Sequence, residues 1–270
     1  MRLIRFAADG GTGIGLLEDN KVVILEASDM RELMVNGAAP KRTSKTETLE
    51  NLTILPPLMP GKILAIGRNY AEHARELNNE VPAEPLVFAV MPSAVIGDGD
   101  IIEWESTLTS QVDWEGELAV IIGRTARHVA QAGALDYVFG YTIANDVSAR
   151  DLQSRDKQWT RAKGLDTFCP LGPAVVTADE IPDPQNLRIV TTVDGVEKQN
   201  GSTADMIFSV SHLIAHLSRA FTLFPGDVIL TGTPSGVGKA MNPPEFLGKG
   251  SVVSVAIEGI GKLTNSCRVL

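Results

Sequence analysis

The segment at residues 112–122, Val-Asp-Trp-Glu-Gly-Glu-Leu-Ala-Val-Ile-Ile, is apolar except for acids at every second position. Side chains of a strand alternate between two faces, so Asp113, Glu115 and Glu117 are predicted to share one face. That face continues into Ala119, so we expect the carboxylates to border a core. Carboxylates at the border of a core stay ionised only with a positively charged partner. A hard divalent cation such as Mg²⁺ or Mn²⁺ would be such a partner. A half-exposed face with solvated acids explains the same residues equally well.

The composition is that of an ordinary folded protein and excludes wholesale disorder. The 270 residues are 44% hydrophobic and 21% charged, enough for one large domain with an appendage or for two domains. The formal net charge is −9, and lysine and arginine are scattered, so we expect no nucleic-acid partner. An acidic chain that handles anionic substrates needs a local positive centre, which a bound cation would supply.

The cysteine content does not suggest a disulfide-stapled secreted protein, since the chain contains only Cys169 and Cys267. The first residues include no apolar stretch of signal-peptide length. No segment approaches the ~18 consecutive apolar residues that a membrane span needs. We therefore expect a cytoplasmic protein with reduced thiols and no membrane partner.

Turn residues divide the chain into short apolar runs and mark one domain boundary. We expect strands at 3–7, 13–17 and 21–25. A helix is expected at 30–35, and Asn36-Gly37 would end it. Residues 41–50 show no clear periodicity. The proline-rich run at residues 56–61 is the strongest chain breaker. We place there the boundary between a small α+β N-terminal domain, residues 1–57, and a main domain, residues 58–270.

The main domain is predicted to be rich in strands. Strands are expected at 62–66, 86–91, 101–103, 112–122, 138–147, 187–193, 228–231, 251–257 and 262–269, and helices at 70–77 and 207–221. Asp194-Gly195 is a hairpin-turn signal. Many strands with few helices indicate a mixed, β-rich fold of the barrel or sandwich kind.

A third acid, Asp146, ends the predicted strand at 137–147 among apolar and neutral residues. With Glu115 and Glu117 it would form a three-carboxylate cation site with open positions for substrate. The alternative is that Asp146 caps a helix at 148–153, an ordinary role of aspartate. Taken alone, the residue fits the cap slightly better.

Two further groups have chemical potential. His73 and Glu76 are three residues apart, hence on one helical face, and a carboxylate that orients a histidine suits a general base for water. Lys163 lies between an aromatic and an apolar stretch, where an ammonium would stabilise an oxyanion or a substrate carboxylate. When each group is considered alone, an ordinary solvated surface position explains these residues better than a catalytic role does.

Two other motifs do not carry chemistry of their own. The glycine-rich loop at 232–239 is not a phosphate-binding P-loop, because Ala240 follows its lysine. His212 and His216 have zinc-like spacing, but the glutamate of a metalloprotease motif is missing, so they are assigned to packing or surface roles.

Seven collinear segments of the main domain resemble the fumarylacetoacetate hydrolase family. They are GRNYAEH (67–73), PSAVIG (92–97), DWEGELAVIIG (113–123), GYTIANDVSARDLQ (140–153), WTRAKGLDTFCPLGP (159–173), STADMIFSV (202–210) and FPGDVILTGTPSGVG (224–238). The resemblance implies a C-terminal β-roll or sandwich, usually a homodimer, preceded by a small N-terminal domain in bacterial-type members.

The resemblance also implies roles for individual residues. The family's ligands for Mg²⁺ or Mn²⁺ match Glu115, Glu117 and Asp146. Its water-activating pair and its lysine beside the substrate oxyanion match His73, Glu76 and Lys163. Its substrate contacts match Arg150, Gln153, Lys163 and Thr233.

The implied function is metal-dependent hydrolysis of a C–C bond in a small 2,4-diketo acid of the acylpyruvate or fumarylpyruvate type. Two alternatives use the same pyruvate-type enolate. One is oxaloacetate decarboxylation, and the other is isomerisation of 5-carboxymethyl-2-hydroxymuconate or 2-hydroxyhepta-2,4-diene-1,7-dioate. A more remote alternative is a non-catalytic dimer that binds 2-oxo acids.

Overall fold

Strands occupy most of the regular structure in residues 1–8, 11–36 and 40–270, which the computed structural model describes. The strands are β1 (Arg2–Ala8), β2 (Gly11–Glu18), β3 (Lys21–Leu25), β4 (Arg42–Thr48), β5 (Thr53–Leu55), β6 (Ile63–Gly67), β7 (Leu86–Val90), β8 (Val95–Ile96), β9 (Ile101–Trp104), β10 (Val112–Asp113), β11 (Gly116–Ile122), β12 (Val138–Asn145), β13 (Ser148–Ala149), β14 (Cys169–Thr177), β15 (Arg188–Val193), β16 (Val196–Ser202), β17 (Val228–Leu230), β18 (Val252–Ile257) and β19 (Gly261–Val269). The helices are α1 (Met30–Asn36), α2 (Ala71–Glu76), α3 (Arg150–Arg155), α4 (Thr160–Lys163) and α5 (Val210–Ala220). The mixed, β-rich fold is confirmed.

Two sheets organise the described residues. The larger sheet has twelve strands, and its main path runs in the order β4-β3-β2-β1-β14-β12-β11-β17-β6-β7. A five-stranded sheet runs in the order β16-β15-β18-β19-β9, and β10 pairs with β13 beside them. The expected turn at Asp194-Gly195 joins β15 to β16, with positive φ values of 52° and 79° that this hairpin turn requires.

Both faces of β11 are buried, which explains its nearly continuous apolar sequence. Leu118 and Val120 enter one core together with α5 and the five-stranded sheet. Ala119 and Ile121 enter a second core on the opposite face. The face that carries Glu117 therefore leads into a core, as the alternation predicts.

The predicted single strand at 112–122 is interrupted. Trp114 and Glu115 lie outside β10 and β11, so the strand is broken between Asp113 and Gly116. The Asp113 carboxylate accepts hydrogen bonds from the backbone of Trp114 and from Arg150, and it lies outside the acidic cluster around Glu115. The strand is thus shorter than predicted, while the carboxylates of Asp113 and Glu115 both contact Arg150.

The first strands continue the large sheet, because β1 pairs with β14 at Leu3 and Val175. The polar segment at 41–50, which shows no periodicity, contains the mostly exposed edge strand β4. An edge strand with both faces near solvent needs no apolar alternation.

The expected helix stop at Gly37 lies outside the described residues, and the domain boundary near residue 57 stays a prediction. Within the described ranges, no helix has the length and apolar content needed to cross a bilayer.

Candidate functional site

Three buried carboxylates meet where β11 begins and β12 ends. Glu115, Glu117 and Asp146 each offer one oxygen atom, and these oxygens all lie within 4.8 Å of one another. The backbone N–H of Asp146 donates to the carbonyl of Glu115 at 2.9 Å, which holds the two chain segments together. Helix α3 begins after Ala149, so Asp146 is not its cap, and burial rules out the half-exposed face. The sequence-based prediction of a three-acid cluster is thus matched by the geometry.

Glu117 is fixed by the end of the glycine-rich loop. The backbone N–H of Gly232 donates to Oε2 of Glu117 at 2.7 Å. Gly232 has a φ of 95°, and a Cβ there would lie 2.7 Å from Cβ of Asn69. Only glycine fits this close approach with this backbone conformation, so the loop can reach the carboxylate.

Lys163, the last residue of α4, places its ammonium between two of the acids. Its Nζ donates to Oε2 of Glu115 at 2.8 Å and to Oδ2 of Asp146 at 2.7 Å. Burial would lower the pKa of Lys163, but the charges of Asp146 and Glu115 outweigh burial and raise it. Lys163 therefore carries a fixed positive charge beside the acidic cluster.

The three acids differ in their protonation. Burial would raise the pKa of Glu115, but Lys163 and Arg150 outweigh it and lower the pKa to about 2. Burial, reinforced by the Glu115 charge and opposed by Lys163, raises the pKa of Asp146 to about 6. Burial and the charges of Asp146 and Glu115 raise the pKa of Glu117 well above its ordinary value. Lys163 and Arg150 therefore do not keep all three acids ionised, which a further cation would do.

Arg150 is held rigidly by an acid whose role the sequence did not reveal. Its Nε donates to Asp113 at 2.8 Å, while Nη1 lies 2.8 Å from Oε1 of Glu115 and donates to Gln153 at 3.0 Å. Both Arg150 and Asp113 are fully buried. The remaining terminal nitrogen, Nη2, is buried without a partner, so it is free to donate to a ligand.

The histidine predicted as a base is oriented by its predicted partner. Nδ1 of His73 lies 2.7 Å from Oε1 of Glu76, and both side chains are on α2. Oε2 of Glu76 accepts the N–H of Gly236 at 2.8 Å. Because Nδ1–H donates to the carboxylate, Nε2 is the nitrogen with a free lone pair.

One cavity of about 290 Å³ connects these groups. The predicted residues that line it are His73, Glu115, Arg150, Gln153, Lys163 and Thr233. Glu76, Glu117 and Asp146 do not line the cavity directly, but Glu76 contacts His73 and Asp146 contacts Lys163, which do. Sequence reasoning missed several lining residues, namely Arg68, Asn79, Ser154, Trp159 and Lys239. Arg68 and Trp159 lie inside two of the segments that resemble the family, but an arginine or a tryptophan alone does not indicate that its side chain lines a cavity.

The glycine-rich loop at 232–239, whose sequence is not that of a phosphate-binding P-loop, supports the site with backbone amides. In addition to its bonds with Glu117 and Glu76, it donates to Asp113 from the N–H groups of Gly238 (2.7 Å) and Lys239 (3.0 Å). Thr233 donates to the carbonyl of Gly116 at 2.9 Å. The loop thus positions the acids with its backbone amides.

Comparison with known families agrees with the fold. Residues 62–268 match the family described as Fumarylacetoacetate (FAA) hydrolase C-terminal, and residues 1–57 match the family described as Rv2993c-like, N-terminal. The chain belongs to the fumarylacetoacetate hydrolase family.

Similar members of the fumarylacetoacetate hydrolase family are named as enzymes. The oxaloacetate tautomerase YisK of Bacillus subtilis is 49% identical over 205 residues, 75% of this chain and 68% of that protein. The mitochondrial oxaloacetate tautomerase fahd2 of Xenopus laevis is 41% identical over 286 residues, 98% of this chain and 89% of that protein. The solved structure of a 5-carboxymethyl-2-hydroxymuconate delta-isomerase from Mycobacterium smegmatis has a TM-score of 0.87 at 36% identity, covering 100% of both chains.

The acidic cluster of this family member fits a divalent cation. Carboxylate oxygens are the ligands that hard cations prefer. Oδ1 of Asp146 is buried without a hydrogen-bond partner, and an uncompensated buried oxygen of this kind is satisfied by a cation. The donor set therefore matches a metal site.

Proposed function

We propose that this chain is a divalent-metal-dependent enzyme that moves a proton between carbon 3 and the 2-oxo oxygen of a small 2-oxo acid. Oxaloacetate is the preferred substrate, so the activity is that of a tautomerase. The observation that carries the proposal is one cavity that brings together His73, Lys163 and the acidic cluster at Glu115. The names of the similar tautomerases and isomerase also support a proton shift.

The cation of the proposed enzyme is Mg²⁺ or Mn²⁺, held by Glu115, Glu117 and Asp146. When bound, such an ion supplies positive charge beside the oxygens of a 2-oxo acid and so favours the enolate form. The remaining chemistry belongs to side chains of this chain.

Substrate binding is assigned to the cationic and polar wall of the cavity. The unpartnered Nη2 of Arg150 and the amide of Gln153 on α3 would contact the substrate carboxylate, with the Thr233 hydroxyl nearby. The Lys163 ammonium would stabilise negative charge on the 2-oxo oxygen as it develops.

Proton transfer is assigned to His73. Nε2 would take a proton from carbon 3, and the electron pair of that C–H bond would form the double bond of the enolate. The 2-oxo oxygen would become the enolate oxygen and receive the proton, which completes the shift without any other reactant. Glu76 would hold the ring in orientation and stabilise the imidazolium, while it is not itself protonated.

Hydrolysis of an acylpyruvate, which the family resemblance implied as the first choice, is the second candidate. The oriented His73–Glu76 pair is the observation that favours it, because the same Nε2 suits deprotonation of an attacking water. Oxaloacetate decarboxylation passes through the same enolate but needs no base, so it is a separate outcome of the test.

The test uses the full chain loaded with Mn²⁺ or Mg²⁺ and follows loss of the oxaloacetate enol by absorbance, with pyruvate release and acylpyruvate cleavage in parallel. The wild type should accelerate enol loss well above the buffer rate, and His73→Ala should reduce that rate by about 10²–10⁴-fold. Enol loss at the buffer rate overturns the tautomerase, and acylpyruvate cleavage in its place favours the second candidate. No turnover in any assay favours the non-catalytic binder.

The homodimer and the cytoplasmic location remain proposals that accompany this function. Light scattering of the purified chain would measure its mass.

A further inference from the structure

Arg68 contributes a cation to the cavity wall. It follows β6 directly, and its φ of 58° is unusual for a residue other than glycine. Its side chain lines the cavity, and its Nε is buried with no hydrogen-bond partner. Within the described part of the chain, no acid forms an ion pair with it.

The surrounding aromatic residues hold this guanidinium in place. Its central carbon lies 5.9 Å from the Trp159 ring, and that ring packs edge-on against Phe88 at 5.4 Å. A Cβ at Gly67 would lie 2.6 Å from Trp159, so glycine at this position makes room for the indole. The Lys163 ammonium lies over the Phe88 ring, 5.4 Å from the ring centre. Arg68 and Lys163 therefore lie on one wall and are linked through two aromatic rings, those of Trp159 and Phe88.

The charges of the cavity leave Arg68 available for a ligand. Lys163 is neutralised by Glu115 and Asp146, and Arg150 by Asp113 and Glu115. Lys239, the other cation of the wall, already donates to the hydroxyl of Ser154 at 3.1 Å. A half-buried guanidinium beside an indole, with its Nε buried and unpartnered among the described residues, is suited to bind a carboxylate with two hydrogen bonds.

We propose that Arg68 binds the second carboxylate of a dicarboxylic 2-oxo acid and thereby selects dicarboxylic over monocarboxylic substrates. The inference rests on the proposed function, since it assumes that the first carboxylate and the 2-oxo group lie toward Lys163. It assigns specificity to a residue outside the metal ligands and the His73–Glu76 pair.

The test measures binding of two substrate analogues that cannot enolise. Malate has a second carboxylate, whereas 2-hydroxybutanoate has the same carbon count without it. Arg68→Asn removes the charge, and asparagine tolerates the left-handed backbone. Calorimetric titration of the Mn²⁺-loaded chain should show about ten- to hundredfold weaker malate binding and an unchanged affinity for 2-hydroxybutanoate.

Matched variants control the result. Arg75→Asn removes an exposed arginine on the neighbouring helix α2 and should leave both affinities unchanged. Arg68→Lys should recover part of the preference for malate. Equal losses for both analogues would mean a structural role, and unchanged malate binding would overturn the proposal. A loss of malate preference in Lys239→Gln but not in Arg68→Asn would also overturn it.

The two proposals fail independently, because these affinities do not depend on turnover. Wild-type protein that binds malate through Arg68 but leaves the oxaloacetate enol unchanged would contradict only the tautomerase. An active tautomerase whose KM for oxaloacetate is the same in Arg68→Asn would contradict only the selection by Arg68.

Discussion

At the scale of single residues, one short hydrogen bond decides which nitrogen of His73 faces the cavity. The Glu76 carboxylate accepts from Nδ1 of His73 with one oxygen and from the backbone of Gly236 with the other. A carboxylate can accept both bonds, whereas an amide would direct its NH₂ group at one of the two donors. Glu76 is therefore a positioning residue whose charge, and not only its shape, matters.

Glu76→Gln is expected to lower kcat for oxaloacetate tautomerisation by about 10–100-fold with KM changed by less than about threefold. The reason is that the substrate still binds while the His73 ring loses its orientation and its stabilising charge. Stopped-flow absorbance of the enol measures both constants. Glu72→Gln, an exposed change on the same helix, should stay within about twofold of the wild type. Wild-type kcat in Glu76→Gln would show that the pair has no role.

At the scale of elements, the strand β10 supports the cavity through Asp113. This buried carboxylate binds both the Arg150 guanidinium and the backbone of Gly238 and Lys239. It therefore connects α3 to the glycine-rich loop, and each of these elements contributes to the cavity wall.

Asp113→Asn is expected to destabilise the fold by about 2–4 kcal/mol, because it leaves the buried Arg150 charge with only Glu115 as its ionic partner. Urea unfolding at fixed pH measures this cost. The matched control is Glu103→Gln, which breaks the more exposed pair with Arg268 and should cost at most about 0.5 kcal/mol. Similar costs for the two variants would contradict the anchoring role of Asp113.

Local patterns predicted the elements that depend on local interactions. The hairpin at Asp194-Gly195, the face of Glu117 and the helix α5 all follow from turn chemistry or periodicity. The position of Asp113 could not be predicted this way, because the break at 114–115 depends on distant partners. One of these is Asn145, which accepts a hydrogen bond from the backbone of Glu115.

The candidate site was predictable to the extent that its residues lie in recognisable motifs. The roles of Glu115 and Lys163 were expected, although the direct contact between their side chains was not. Arg68 and Lys239 were missed because a charged residue next to a turn is usually solvated. Only the folded cavity shows that, among the described residues, neither is paired with an acid.

At the scale of the whole molecule, the acidic cluster lowers stability unless a cation occupies it. The raised pKa values of Asp146, to about 6 from 3.8, and of Glu117 arise mainly from burial. Both groups hold a proton more tightly in the folded chain than in the unfolded chain. They therefore favour folding at low pH, and this contribution is lost as pH rises through the folded pKa.

Removal of the metal with a chelator is therefore expected to lower Tm more at about pH 7.5 than at about pH 5. At a free Mn²⁺ concentration of about a hundred times Kd, loaded protein should melt roughly 5–10 °C higher at the upper pH. Differential scanning calorimetry measures both states. Glu117→Gln, which removes one proposed ligand, should abolish most of the Mn²⁺ effect. A Tm difference independent of pH would contradict the proton linkage.

The burial of β11 on both faces also restricts how this enzyme can diversify. A mutational library placed on that strand would mainly yield unfolded protein, because each side chain from Gly116 to Ile122 packs inside a core or belongs to the acidic cluster. Variation aimed at Arg68, Trp159 and Ser154 would instead alter the cavity wall without touching the strand. New substrate ranges should therefore evolve by changes around the mouth of the cavity, while the strand beneath it stays constant.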